Sequence, residues 1–224
     1  MNSAVSPDLQ AAFNRERAEV RAKKMVDASG ARAQTVRMYG RLAELQDGVI
    51  SRGKVKLACE RGCSYCCHLR VEIRPHEAFV LAQHIEAKFT PEQRAHAMMR
   101  IEANLQRIAP LSPEQHIRAG IPCALLEDGV CSVYEGRPAT CRKYYSVSVE
   151  TCRNAFSDTA APLTGPIEDE QVRLAGNAVA LGYAKGLEDA GFDATLYELH
   201  FALHRALTNP KAEKRYRDGK RPFV

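Results

Sequence analysis

Apolar positions recur at helical spacing along most of the chain, and polar breakers divide them into segments. Residues 7 to 28 hold strong helix formers without an internal breaker and predict a first helix, and residues 33 to 48 predict a second. Pro75 can open a helix carrying His76, Glu77, Phe79, Val80, Leu81 and Ile85, with the apolar members falling largely on one face. Thr90-Pro91-Glu92-Gln93 pairs an N-cap hydroxyl with a Gln at the third helical position, a capping box that predicts a helix to about residue 108. The pattern recurs at Ser112-Pro113-Glu114-Gln115, where Gly120 and Pro122 allow only a short helix. Residues 169 to 189 and 193 to 208 predict two more helices, bounded by Gly191 and Pro210. The pattern is that of a mainly α protein.

One stretch breaks it. Residues 123 to 144 hold short apolar pieces around the turn signal Asp128-Gly129 and the break Arg137-Pro138, which predicts a compact loop or tiny hairpin. The chain of 224 residues is long enough for one domain with a real core. Apolar residues make up 45% and charged residues 26%, the balance of an ordinary globular protein.

The net charge of +5 is modest, and its densest runs (Arg15, Arg17, Arg21, Lys23 and Lys24; Lys211, Lys214, Arg215, Arg217, Lys220 and Arg221) read as solvated helix faces, so nucleic acid is not implied. The first residues lack the apolar run of a secretory leader, and no stretch approaches the roughly 18 apolar residues of a membrane span. A cytoplasmic location with no membrane partner is the expectation. In that reducing compartment the eight cysteines would be thiols that bind metal or react, rather than four disulfides.

The cysteines fall into two clusters. Cys59, Cys63, Cys66 and Cys67 lie within nine residues, and Cys123, Cys131, Cys141 and Cys152 are spread more widely. Gaps of two or three residues let one loop curl around an ion so that thiolates converge at about 2.3 Å from it. Zinc takes four such ligands, and an iron-sulfur cluster usually takes four thiolates, so eight cysteines fit two sites. Neighbouring side chains in extended backbone point to opposite sides, so Cys66 and Cys67 are better suited to two metals than to one. Four thiolates on zinc leave a net charge of about −2. Arg61, Arg137, Arg142 and Lys143 stand beside cluster cysteines as candidates to offset it.

Other chemistry is weighed and set aside. Cys59-x3-Cys63-x2-Cys66, with Tyr65 before the last thiol, spells the radical S-adenosylmethionine signature, but that barrel needs a strand and helix series the flanks lack. His200 and His204 share a helical face, yet Phe201 stands where a metalloprotease motif needs Glu, and a partly buried pair of histidines is the expectation. His68, next to the double cysteine, is a candidate replacement for a thiolate. No phosphate loop, dinucleotide fingerprint or nucleophile elbow occurs. Cys152, most remote in sequence, is the candidate for a cysteine outside the metal sites.

The motifs CERGCSYCC and IPCALLEDGVCSVYEGRPATCRKY resemble the YkgJ-type cysteine-cluster family, a zinc- or iron-chelating domain of CxxCxxCC type. The gap from Cys59 to Cys63 is one residue longer than the family name implies. The second motif follows the family in order, with Pro122, Cys123, Cys131, Tyr134, Arg137, Pro138, Cys141 and Arg142 at its positions and Cys152 as the trailing cysteine. The resemblance spans about residues 59 to 152 and implies metal binding by all eight cysteines. One relative, the flagellin lysine methylase, looks like this domain with an iron-sulfur site and methyl transfer, which implies iron-sulfur as a rival to zinc.

The expectation is therefore a single, mainly α domain whose metal-binding centre is made of loops between helices. Residues 1–50 form an N-terminal helical extension, 51–156 the cysteine-cluster core, and 157–224 C-terminal helices packing on it. The expected function is zinc or iron binding, with helices free to meet a protein partner. An iron-sulfur enzyme and a metal storage or delivery protein are the alternatives.

Overall fold

The structure is a computed structural model that describes residues 6–22, 28–60, 62–157 and 166–224. Its elements in chain order are α1 (Pro7–Ala22), α2 (Ala28–Gly53), β1 (Glu72–Ile73), α3 (Pro75–Lys88), α4 (Pro91–Ile108), α5 (Pro113–Arg118), β2 (Leu126–Glu127), β3 (Val130–Cys131), α6 (Ala139–Arg142), α7 (Val149–Ser157), α8 (Glu170–Asp189), β4 (Tyr197–Glu198), α9 (Leu199–Thr208) and α10 (Ala212–Arg217). The fold is mainly α, as the periodicity implied.

Local chemistry sets most boundaries. Thr90 and Ser112 each accept a hydrogen bond from the backbone N–H three residues on, while Gln93 and Gln115 reach back, so both capping boxes form. Asp128 and Gly129 both have positive φ, the conformation a two-residue hairpin turn demands, and β2 pairs with β3 across it. Two expectations need correction. The second helix starts at Ala28 and continues to Gly53, where Lys54 at φ +49° ends it. The helix expected over 193–208 begins only at Leu199, because Tyr197 and Glu198 pair with Ile73 and Glu72 as a short antiparallel strand. Glu198 then caps α9 by accepting from the Phe201 N–H. The first helix ends at Ala22, and residues 23–27 lie outside the described ones.

Two apolar clusters organise the interior. The larger joins Met38, Tyr39 and Leu42 of α2 to Ile73, Phe79, Val179, Tyr183, Leu187, Leu199 and Tyr216. The smaller joins Leu81 and Ile85 of α3, Ala97 and Ile101 of α4 and Leu203 of α9 to Ala124, Leu125 and Val133. Cys123 packs against both. On the far side α1 lies on α8 backbone to backbone: a Cβ on Gly182 would stand 2.4 Å from the Phe13 carbonyl oxygen, and one on Gly186 2.7 Å from that of Arg17.

Several polar groups inside this core are paired. Glu16, fully buried, takes both hydrogen bonds of the Arg41 guanidinium at 2.6 Å. The Thr35 hydroxyl donates to the Ala31 carbonyl, so its oxygen can accept from the Nδ1–H of His76 at 3.2 Å. Tyr183 meets the same imidazole edge-on. Burial pushes the His76 pKa down to about 3. The unfolded chain takes up that proton near the ordinary value of about 6.5, so the stability contributed by a neutral His76 is complete above about pH 6.5 and drains away as pH falls toward 3. Thermal unfolding followed from about pH 7 to about pH 4 should therefore show a shallower loss of Tm in His76→Gln than in the native chain, and parallel curves would refute this role.

Candidate metal centre

The first cysteine cluster sits on a segment with little regular structure, fixed at three points. The Ala58 N–H donates to the Ser146 carbonyl at 2.8 Å, and the Ser146 N–H donates to the Cys59 sulfur at 3.2 Å. Gly62 at φ +92° turns the chain into a single 3-10 turn, Tyr65–His68, that carries Cys66 and Cys67. The Cys123 N–H donates to the Cys67 carbonyl at 2.7 Å and ties the two clusters together.

The second cluster hangs from side chains of the helices. Asn104 of α4 donates to the Pro122 carbonyl at 2.8 Å. The Ala124 N–H donates to His200 Nε2 at 3.1 Å, and since a backbone N–H can only donate, that nitrogen carries a lone pair. His200 is thus neutral, with its proton on Nδ1 facing Glu198 at 2.6 Å. Arg100 donates to the Ala124 carbonyl at 2.8 Å and pairs with Glu127. Ser132 returns both its N–H and its hydroxyl to the Leu125 carbonyl, which places Cys131 beside Cys123.

Cys141 depends on a buried carboxylate. Glu77 is 1% exposed, stands in the first turn of α3, and accepts from the Arg74 N–H at 3.0 Å, from the Ala139 N–H at 2.7 Å and from the Tyr39 hydroxyl. It therefore caps α3 and α6 together. Thr140 donates to the Glu72 carbonyl at 2.9 Å, so the short helix bearing Cys141 is held on both sides.

Electrostatic neighbours sort the thiols. Cys59 and Cys63 face each other, Cys66 and Cys152, whereas Cys131 and Cys141 face Cys123 and Cys66. Cys66 acts on both groups and on its neighbour Cys67. Cys152, remote in sequence, is buried on α7 beside the first cluster. Burial pushes the Cys123 thiol up to about 11 and raises Cys59, Cys63, Cys131 and Cys141; Cys66 is raised first by its bond to Cys67. Uncompensated thiolates are costly here, and a cation among them reverses that cost. All eight cysteines are free, and a soft all-sulfur donor set fits zinc or iron. As the side chains stand, no three His, Cys, Asp or Glu groups among the described residues already converge at ligating distance.

The remaining candidates separate clearly. Arg137 acts on Cys66, Cys131 and Cys141, favouring their thiolates. Arg142 lies 4.5 Å over the Tyr39 ring and donates to the Arg137 carbonyl, and Lys143 reaches Asn177 of α8. Arg61 lies outside the described residues. His68 donates from Nδ1 to the Ser64 carbonyl at 3.0 Å. His200 is spent on Ala124, Asn104 and Glu198, and His204 faces Glu102 at 3.7 Å.

Six thiols, Cys63, Cys66, Cys67, Cys123, Cys131 and Cys141, form one wall of a cavity of about 710 Å³. Of the residues that hold these thiols, Glu77 and Asn104 carried no motif, and His200 was read only as one of a partly buried pair. Asn104 left a trace, a polar residue in line with buried Ala97 and Ile101 at helical spacing.

Glu77→Gln tests the clamp. The amide places an N–H against a backbone N–H, and urea unfolding should show a loss of about 1–3 kcal/mol together with weaker metal retention. An unchanged midpoint and full metal content would dismiss it.

No curated protein and no solved structure matches the chain. Residues 58–161 match the family described as CxxCxxCC, putative zinc- or iron-chelating domain. That span takes in both cysteine groups, the hairpin between them, α6 and α7. Over those residues the chain is similar to the CxxCxxCC family.

Proposed function

We propose that the domain binds metal at two all-thiolate centres, one built on Cys59, Cys63 and Cys152, the other on Cys123, Cys131 and Cys141, each completed by one member of the Cys66 and Cys67 pair. The observation that carries this is the division of electrostatic neighbours into two triads, with Cys66 acting on both. Four thiolates per centre is the complement that zinc and iron-sulfur clusters take. Were a metal bound there, Arg137 would offset part of the negative charge of the thiolates.

A second reading, an iron-sulfur enzyme, is favoured by one feature. Six of the thiols line a cavity, so a centre there has a side that a substrate could approach. A purely structural metal would be closed on all sides. The bound group would supply Lewis-acid chemistry as zinc or electron transfer as an iron-sulfur cluster; the residues of the chain supply the anchored loops and the Arg137 charge. A storage or delivery role predicts instead that a mild chelator strips the metal quickly without unfolding the protein.

Protein purified without oxygen should carry about two centres, brown with acid-labile sulfide if iron-sulfur and colourless if zinc. Cys59→Ser with Cys152→Ser should remove one centre and leave the other, and Cys123→Ser with Cys141→Ser should do the reverse. Loss of all metal in both variants would contradict two separate sites.

A further inference from the structure

The cavity is larger than its thiols need. A four-thiolate centre with bonds of about 2.3 Å occupies only the space next to the cysteine wall. The whole volume of about 710 Å³ lies within the range of pockets that take small organic ligands, roughly 300–1,000 Å³. Away from the cysteines the lining is mostly apolar, with Leu69, Val71, Leu125, Val133 and Leu199 among it. Those side chains have nothing to offer an ion, but they suit the body of an organic molecule.

Polar groups, Glu60 among them, also line the cavity. His84 and Lys88 stand one turn apart on α3 and both line the cavity. The His84 ring is pressed against Gly136, where a Cβ would come within 2.9 Å of its Cγ, so the imidazole is held by packing. The charged neighbours differ in what they have free. Arg70 is ion-paired with Glu72 at 2.5 Å. Arg137 lies 3.6 Å over the Tyr134 ring, donates to the Tyr134 carbonyl and acts on the thiols. Glu135 faces His84. Lys88 has no hydrogen-bond or ion-pair partner among the described residues, and it is exposed at the mouth. An ammonium left unpaired over an apolar chamber complements an anionic group on an apolar body.

We propose that this cavity binds a small organic acid, its apolar body against the Leu69, Leu125 and Val133 walls and its anionic group on Lys88, with His84 as the neighbouring hydrogen-bonding group. The site does not depend on which metal the thiols hold.

The probe is 1-anilinonaphthalene-8-sulfonate, an aromatic body with one sulfonate, titrated by fluorescence against the full-length, metal-loaded protein. Its uncharged parent, N-phenyl-1-naphthylamine, is the control. Saturable binding at one site is expected, weakened about tenfold by Lys88→Glu while the uncharged probe changes little and metal content stays the same. Lys88 is exposed, so the substitution spares the core, and His84→Ala provides a second variant expected to weaken the sulfonate probe. Non-saturable binding would overturn the site. Equal affinity for both probes, or an unchanged Lys88→Glu titration, would overturn the assignment of an acid. Metal analysis of the same samples separates failure of this proposal from failure of the metal centres.

Discussion

Loops without regular structure can present ligands only if something else fixes their backbone, and here buried polar side chains of the helices do it. Glu77 holds the helix of Cys141, Asn104 and His200 hold the segment of Cys123, and the Ser146 backbone holds Cys59. Each of these clamps is itself well paired, which a buried polar group must be to hold a geometry rather than to disrupt it. The helices are therefore more than a lid. They carry the hydrogen-bonding groups that the cysteine segments lack.

The same arrangement sets the electrostatics. Burial makes the ionised forms of Cys59, Cys63, Cys123, Cys131 and Cys141 expensive, and the pKa of Cys123 rises to about 11 on that account. A cation is what such a donor set calls for. Arg137 contributes to the compensation from the chain itself, and because its guanidinium is stacked on Tyr134 it keeps that position at little further entropic cost. The result is a set of soft donors lining a chamber whose remaining surface is largely apolar, with charged groups of both signs among it.

Much of this was legible in the sequence. Capping boxes at Thr90 and Ser112, the Pro75 helix start and the Asp128-Gly129 turn are local signals, and each formed where expected. The strand at Tyr197 and Glu198 was not legible, because it exists only through pairing with residues 72 and 73, more than a hundred positions away. Cys152 misled for the same reason: distance in sequence suggested a cysteine apart, whereas α7 returns it to Cys59 and Cys63. Of the four cations expected near sulfur, Arg137 acts on the second thiol group, Arg142 lies over Tyr39 and still acts on Cys141, and Lys143 turns toward Asn177. Adjacency in sequence identifies a neighbour but not the direction in which a long side chain points.

The central claim is that the cysteines, and not the histidines or carboxylates around them, hold the metal. X-ray absorption at the edge of the bound metal reads the donor atoms directly. A first shell of sulfur alone, about four per metal at about 2.3 Å for zinc, is the expected result. A shell containing nitrogen or oxygen, or a protein that retains no metal when purified without oxygen, would contradict it.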